Sequence, residues 1–147
     1  FTHVSMYQAE IVVADILGNT GVPPADYRAL PRVTFTDPEV ASVGMTTSQA
    51  VDAGLDVLVG KAELAATARG WIHGPGNDGF IRLVADAGRR VLVGATVIGP
   101  SGGEVMSALA VAIHAEVPVD RLLHMIYAYP TFHRGILDAL RDLRSLG

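Results

Sequence analysis

Two β-rich apolar runs, residues 80–85 and 90–98, are separated by only four residues. A loop this short forces two strands to pair antiparallel, because a parallel pair needs a crossover of a dozen or more residues. The sequence therefore predicts a β-hairpin, and an antiparallel sheet becomes part of any fold that this chain adopts.

Helices and strands are segregated along the rest of the chain. Alternating or β-branched stretches predict further strands over residues 31–36, 40–45 and 55–64. Apolar spacing predicts helices over residues 3–17, 103–115, 119–125 and about 131–143, and a short helix capped by Thr46 or Thr47 that stops at Gly54. Residues 65–79, rich in small residues and glycine, are assigned neither helix nor strand. Segregated elements of this kind indicate an α+β domain.

The chain is apolar for its size. Half of its 147 residues are hydrophobic and 18% are charged, with a mean hydropathy of +0.35. No uncharged stretch approaches the ~20 apolar residues that a membrane span needs, so we expect no membrane partner. An alanine- and valine-rich core would explain this composition, but we favour a surface that a partner covers.

Charge, cysteine and histidine content exclude several classes of function. A net charge of −4 and a pI near 5.6 argue against a nucleic-acid partner. The absence of cysteine excludes thiol catalysis within the chain. The five histidines show no H-x3-H spacing, so no metal site is expected.

The first residues carry no secretory signal, because Phe1 opens directly into a predicted helix. We therefore expect a cytoplasmic protein, and so abrupt a start suggests a fragment excised from a longer chain.

Residues 99–103, Gly-Pro-Ser-Gly-Gly, match the G-x-S-x-G pattern of a hydrolase nucleophile elbow. In that reading Ser101 attacks an acyl carbon, with His114, His124 or His133 as the base. The preceding strand belongs to an antiparallel hairpin, however, whereas hydrolase elbows follow a parallel strand. We favour a glycine-rich turn in which Ser101 caps the next helix, and a small serine hydrolase remains the alternative.

The last segment combines aromatic residues with a predicted amphipathic helix. Pro130 is placed at the first turn of that helix, where its missing N–H costs nothing. Phe132, Ile136 and Leu140 are spaced by four and so predict one apolar face.

Taken together and in order, these segments resemble the dimerisation domain of the pyridine-nucleotide disulfide oxidoreductases, a family that includes dihydrolipoamide dehydrogenase, glutathione reductase and mercuric reductase. Residues 31–44 (PRVTFTDPEVASVG) look like the strand and turn that open that domain. Residues 1–4 and 8–17 resemble the stretch leading out of the flavin-binding region. Residues 79–84, 93–100 and 103–106 are similar to the family's hairpin and following helix. Tyr129, Pro130 and Thr131 fall where the family has His-Pro-Thr.

The resemblance implies a fold and an assembly. It implies an α+β domain with a central antiparallel sheet flanked by helices, and a homodimer. It also implies a parent enzyme that carries FAD and uses NAD(P)H in flavin- and nucleotide-binding domains. Residues 1–30 would lead out of the flavin-binding region and residues 31–147 would form the dimerisation domain. This chain alone is expected to bind neither cofactor and to show no turnover.

The resemblance also implies site residues. Thr2 and His3 would lie near the flavin of their own subunit, whereas Tyr129, Pro130 and Thr131 would lie near the partner's isoalloxazine ring. Tyr129 occupies the position of the family's catalytic histidine, and Arg134 that of the glutamate that orients it.

These two departures leave the parent's substrate open. A histidine, with a reference pKa of ~6.5, shuttles protons near neutral pH far better than a tyrosine with one of ~10. Tyrosine at this position resembles the mercuric reductase branch, yet that branch also carries a cysteine pair near its C-terminus, which is missing here. A free-standing interaction module that lacks catalytic domains is a further alternative.

Overall fold

A computed structural model describes residues 1–145 of the chain. The helices are α1 (Thr2–Ile16), α2 (Thr47–Asp52), α3 (Ala68–His73), α4 (Gly102–His114), α5 (Val119–Leu123) and α6 (Gly135–Arg141). The strands are β1 (Pro31–Thr34), β2 (Glu39–Gly44), β3 (Val57–Glu63), β4 (Phe80–Asp86), β5 (Val91–Gly99) and β6 (Arg144–Ser145). No helix within this described part is both long enough and apolar enough to cross a bilayer.

The strands form one antiparallel sheet in the order β1-β2-β5-β4-β3-β6. The predicted hairpin, β4 and β5, lies at its centre. A β-bulge interrupts the hairpin, since Val84 lies opposite Gly94 but Ala85 lies opposite Leu92, which leaves Val93 as the extra residue. The α+β class and the antiparallel sheet flanked by helices are confirmed.

One face of the sheet carries the main core. Successive side chains of a strand point to opposite faces, and on this face Ile81 and Leu83 of β4 and Val97 of β5 are completely buried. Helix α4 packs on β2 and β5, while α6 packs on β3 and β4. The residues that α4 buries here follow the helical repeat and are Val105, Met106, Leu109, Ala112 and Ile113.

The opposite face is covered only in part. Helix α2, which Thr46 caps as predicted, contributes Ala50 to a second, smaller apolar cluster. The partners of Ala50 in this cluster are Val57, Val84 and Val93.

Helix α1 lies outside both clusters. Its buried residue is Ala14, and the Tyr7 hydroxyl accepts a hydrogen bond from the backbone N–H of Asp26 in the following connector (2.9 Å). The rings of Tyr7 and Tyr27 also meet edge to face. The outer side of α1 carries large exposed apolar side chains, namely Met6, Val12, Val13, Ile16 and Leu17.

The prediction that Pro130 begins the last helix is wrong, since α6 begins at Gly135. The Thr131 hydroxyl donates to the Ala128 carbonyl (2.7 Å) and accepts from the Arg134 N–H (3.3 Å). A threonine that bonds its own backbone in this way offers an alternative to helical hydrogen bonding, and residues 130–134 are not helical.

Two short elements, α3 and β6, differ from what the sequence predicts. Helix α3 forms within the stretch that was assigned neither helix nor strand. The predicted last helix stops at Arg141, and β6 then pairs with β3, where Ser145 lies opposite Leu58.

Candidate functional site

The Tyr-Pro-Thr segment (residues 129–131) lies in the loop between α5 and α6. The Tyr129 side chain is 70% exposed, and the peptide bond between Tyr129 and Pro130 is cis. Ile126, on the approach to the segment, is 95% exposed. The loop therefore presents an aromatic ring and an aliphatic side chain at the surface of the chain.

Tyr129 and Arg134, the two positions where the sequence departs from the family's catalytic pair, are brought together. The guanidinium carbon of Arg134 lies over the Tyr129 ring, 5.5 Å from its centre. Its Nη1 is 3.7 Å from a carboxylate oxygen of Asp138. A cation over an exposed aromatic ring is worth about 0.5–1 kcal/mol. Because the contact is with the ring face, it orients the ring without engaging the hydroxyl.

The neighbouring Tyr127 has a different environment. It is buried, and its hydroxyl donates to the carbonyl of Leu122 (3.1 Å). Burial raises the pKa of the Tyr127 hydroxyl above its usual value. Its ring centre lies 5.9 Å from that of His133. Tyr127 therefore anchors the loop to the core, whereas Tyr129 faces outward.

Phe132 connects this loop to α3, which the sequence analysis missed. Its ring lies 5.6 Å from the guanidinium carbon of Arg69 and 5.5 Å from the ring centre of His73. The helical spacing of Phe132 with Ile136 and Leu140 indicated burial on α6 but gave no signal for these contacts, since α3 lies some sixty residues earlier in the chain.

Thr2 and His3 lie elsewhere in the chain. The His3 Nε2 is 3.0 Å from the carbonyl oxygen of Pro31, at the start of β1, and the His3 ring stacks on Phe1 with centres 5.4 Å apart. Strand β1 is an edge of the sheet, whereas Tyr129 leads into α6, which packs on β3 and β4. The structure thus places the two predicted flavin-facing groups in separate regions of one chain.

The hydrolase alternative lacks its geometry. Ser101 is exposed, and its backbone is left-handed with φ of +55°. His114 stands at the other end of α4, about 20 Å from Ser101 at 1.5 Å of rise per residue. Among residues 1–145, no hydrogen bond joins Ser101 to a histidine, and no three histidine, aspartate or glutamate side chains group to hold a metal ion.

Ser101 is the N-cap residue of α4, as predicted, but its side chain makes no capping hydrogen bond to the helix. A carboxylate oxygen of Glu39, on β2, accepts the Gly103 N–H instead (2.9 Å). A negative charge at this end is favourable for the helix dipole.

Comparison with known families gives one match that spans most of the chain. The family model described as pyridine nucleotide-disulphide oxidoreductase, dimerisation domain, matches residues 30–140.

Curated relatives extend this likeness to the whole chain. Dihydrolipoyl dehydrogenase 2 of Haloarcula marismortui is 33% identical over 144 residues, which cover 97% of this chain and 30% of the relative. Dihydrolipoyl dehydrogenase of Mycobacterium leprae is 34% identical over 142 residues, which cover 96% of this chain and 30% of the relative. The chain therefore spans about a third of the length of the relatives that it matches.

Solved structures share the fold. LpdA from Mycobacterium tuberculosis superimposes with a TM-score of 0.85 and 26% identity, over 96% of this chain and 30% of that protein. The HOCl-induced flavoprotein disulfide reductase RclA from Escherichia coli gives a TM-score of 0.79 and 26% identity, over 97% of this chain and 32% of that protein.

Proposed function

The chain belongs to the dimerisation-domain family of the pyridine nucleotide-disulphide oxidoreductases, and from this we propose that it is the interface domain of a larger FAD-dependent, NAD(P)H-linked oxidoreductase. Residues 31–147 are the dimerisation domain in this proposal, and residues 1–30 lead out of the flavin-binding region. The flavin- and nucleotide-binding domains belong to the remainder of the parent chain, since this chain spans about 30% of its relatives.

The observation that supports a dimer is an exposed, weakly polar surface beside the Tyr-Pro-Thr segment. The outer side of α4 presents Ser107, Ala108 and Val111, and Val111 is 66% exposed. A cleft lined by α4 residues together with Phe132 and His133 joins this surface to the segment. A two-fold axis brings the same surface of both copies together, so each copy presents its segment to the other.

The Tyr-Pro-Thr segment suits a position against a flavin that the partner subunit binds. When bound by the parent, FAD supplies the redox-active ring. Tyr129 supplies a flat ring that can pack on an aromatic surface and a hydroxyl that can form hydrogen bonds. In this role Tyr129 excludes water from the flavin site and orients the groups that meet there, while Arg134 holds the Tyr129 ring in place. This role differs from the proton shuttle of a His–Glu pair. Pro130 and Thr131 place backbone at the same exposed tip.

Helix α1 supports the assignment of residues 1–30. Its outer side is apolar and exposed, with Val13 at 54% and Ile16 at 75% exposure. Large apolar side chains grouped on one exposed side of a helix favour burial against another body, so a further body covers this side of α1 in our proposal. We assign this cover to the flavin-binding region of the same subunit, which places Thr2 and His3 beside that subunit's flavin.

Light scattering after size exclusion tests the dimer. The 147-residue chain and a control, Val51→Glu on the half-exposed outer side of α2, should both elute with the mass of a dimer at micromolar concentration. Val111→Glu should elute as a folded monomer, because two carboxylates would be buried against each other across the axis. A monomeric wild type, or a Val111→Glu dimer, would overturn the interface.

Absorbance spectroscopy of the full-length parent tests the cofactors. We expect oxidised-flavin bands that bleach when NADH or NADPH is added anaerobically. A colourless parent, or a gene in which only an initiator methionine precedes Phe1, would instead favour the free-standing interaction module.

A further inference from the structure

We propose that α3 is a positioning element for the Tyr-Pro-Thr segment, and that Arg69 and His73 of α3 act on the segment through Phe132. The inference rests on the proposed function, which gives the segment the task of lying against a flavin. It deepens that function by assigning a role to Arg69 and His73, which the dimer and cofactor arguments do not use, and to their contacts with Phe132.

Helix α3 has a fixed place on the core. The Thr67 hydroxyl donates to the Leu64 carbonyl (2.6 Å) and accepts from the Gly70 N–H (3.0 Å). The Asn77 side-chain amide donates to the Gly70 carbonyl (2.8 Å). A Cβ atom at residue 70 would overlap the carbonyl oxygen of Leu64, which is itself completely buried. The close approach that glycine permits therefore fastens this short helix directly to the core.

Two side chains of α3, Arg69 and His73, contact the Phe132 ring. Arg69 places its guanidinium carbon 5.6 Å from the ring centre, within the ~6 Å range of a cation–π contact. His73 meets the ring at 5.5 Å with an interplanar angle of 64°, an edge-to-face arrangement. Arg69 is half-buried and takes part in no ion pair among residues 1–145. Its contact with Phe132 is therefore not a by-product of pairing with a carboxylate.

The segment needs such an anchor because its own hydrogen bonds are local. Thr131 bonds to Ala128 and Arg134, both within three residues of it. Ordering exposed backbone costs conformational entropy, so an exposed tip stays ordered only where its flanks are held. Tyr127 holds the N-terminal flank in the core and Phe132 holds the C-terminal flank against α3. Tyr129 lies between these two anchors.

Backbone order parameters from NMR relaxation of the 147-residue chain measure this directly. In the wild type we expect the amides of Ala128, Tyr129 and Thr131 to give values near 0.85, typical of rigid backbone. Arg69→Ala and Phe132→Leu should lower these values towards 0.6 or below while the melting temperature of the core changes little.

Conservative variants separate positioning from general stability. Arg69→Lys keeps a cation over the ring and Phe132→Tyr keeps the ring, so both should restore the wild-type order parameters. The matched control is Arg32→Ala, which removes an exposed arginine at β1 and should leave the segment unchanged. Unchanged order in Arg69→Ala and Phe132→Leu, or failure of both conservative variants to restore it, would overturn the proposal.

Kinetics of the full-length parent then test whether the position of the segment affects turnover, separately from whether α3 holds the segment in place. Arg69→Ala should lower acceptor-dependent turnover about tenfold to a hundredfold, because small displacements at a reacting centre cost that much. Arg69→Lys should recover it. If the order parameters fall in the isolated chain while turnover is unaffected, α3 still positions the segment and the proposed role of the segment at the flavin is what fails.

Discussion

Asp86 is a charged residue that this fold buries, with 6% of its surface exposed. Its carboxylate accepts hydrogen bonds from the Gly88 N–H (2.9 Å), the Arg89 N–H (3.2 Å) and the Arg89 Nε (2.7 Å). The side-chain bond from Arg89 is the largest cause that holds the pKa of Asp86 below its usual value, and it outweighs burial, which acts in the opposite direction. Asp86 thus closes the hairpin turn that organises the sheet.

Replacing Asp86 with asparagine should therefore destabilise the chain in a pH-dependent way. Near neutral pH the loss should be about 1–3 kcal/mol, because bonds to a charged acceptor are removed from a buried site. The folded pKa is depressed, so the unfolded state binds more protons as the solution is acidified. The stabilisation is present above the unfolded pKa of ~3.9 and is lost as pH falls through the folded value.

Urea unfolding of both proteins over a series of pH values measures this difference. The wild type and Asp86→Asn should converge in acid, and a gap that stays constant or widens there would contradict the argument. Asp120→Asn removes an exposed carboxylate that pairs with Arg90, and serves as the control with a much smaller effect.

At the scale of elements, the sequence predicts best where local signals agree. The β4–β5 hairpin and α4 combine strong periodicity with clear boundaries, and both form within two residues of their predicted limits. Helix α3 was missed because Gly70 lowers helix propensity inside a six-residue element. Side-chain hydrogen bonds from Thr67 to Leu64 and from Asn77 to Gly70 stabilise it, and helix propensity does not include such bonds.

Side-chain hydrogen bonds, one of them distant and the others local, explain the errors at helix ends. Ser101 is the N-cap residue of α4, as local signals predicted, but the carboxylate that accepts a helix N–H there belongs to Glu39, 64 residues before Gly103. The turn at Thr131 outweighed the preference of Pro130 for a first helical turn.

In the candidate site, too, some features follow from the sequence and others are seen only in the structure. Its positions, Tyr129 and Arg134, follow from resemblance to a family, and their roles remain predictions. Their mutual contact could not be predicted from spacing, because residues five apart do not share a helical face and this loop is not helical. The contacts of Phe132 are with Arg69 and His73 of α3, about sixty residues earlier in the chain, so the spacing around Phe132 does not predict them.

At the scale of the whole molecule, the apolar composition has a spatial explanation. The main core accounts for one face of the sheet, yet large apolar side chains remain exposed on α1, on the outer side of α4 and in the loop before α6. These surfaces lie in different regions, so a single partner surface does not explain them all. A second copy on α4 and the preceding region of the same subunit on α1 would together cover them.

Because different partners are assigned to these surfaces, one double variant on α1 should have little effect on the stability of the isolated chain and a large effect on that of the full-length parent. Val13→Ser and Ile16→Ser together replace side chains that are 54% and 75% exposed in the isolated chain. Surface substitutions of this kind usually change stability by no more than ~0.5 kcal/mol, so the melting temperature of the 147-residue chain should barely move. If the flavin-binding region covers these side chains in the full-length parent, as proposed, losing each there should cost about 1.5–3 kcal/mol. Thermal unfolding of both proteins, with Glu10→Ser as an exposed control on the same helix, makes the comparison. Equal shifts in the isolated chain and in the parent would show that nothing covers α1, and residues 1–30 would then need another assignment.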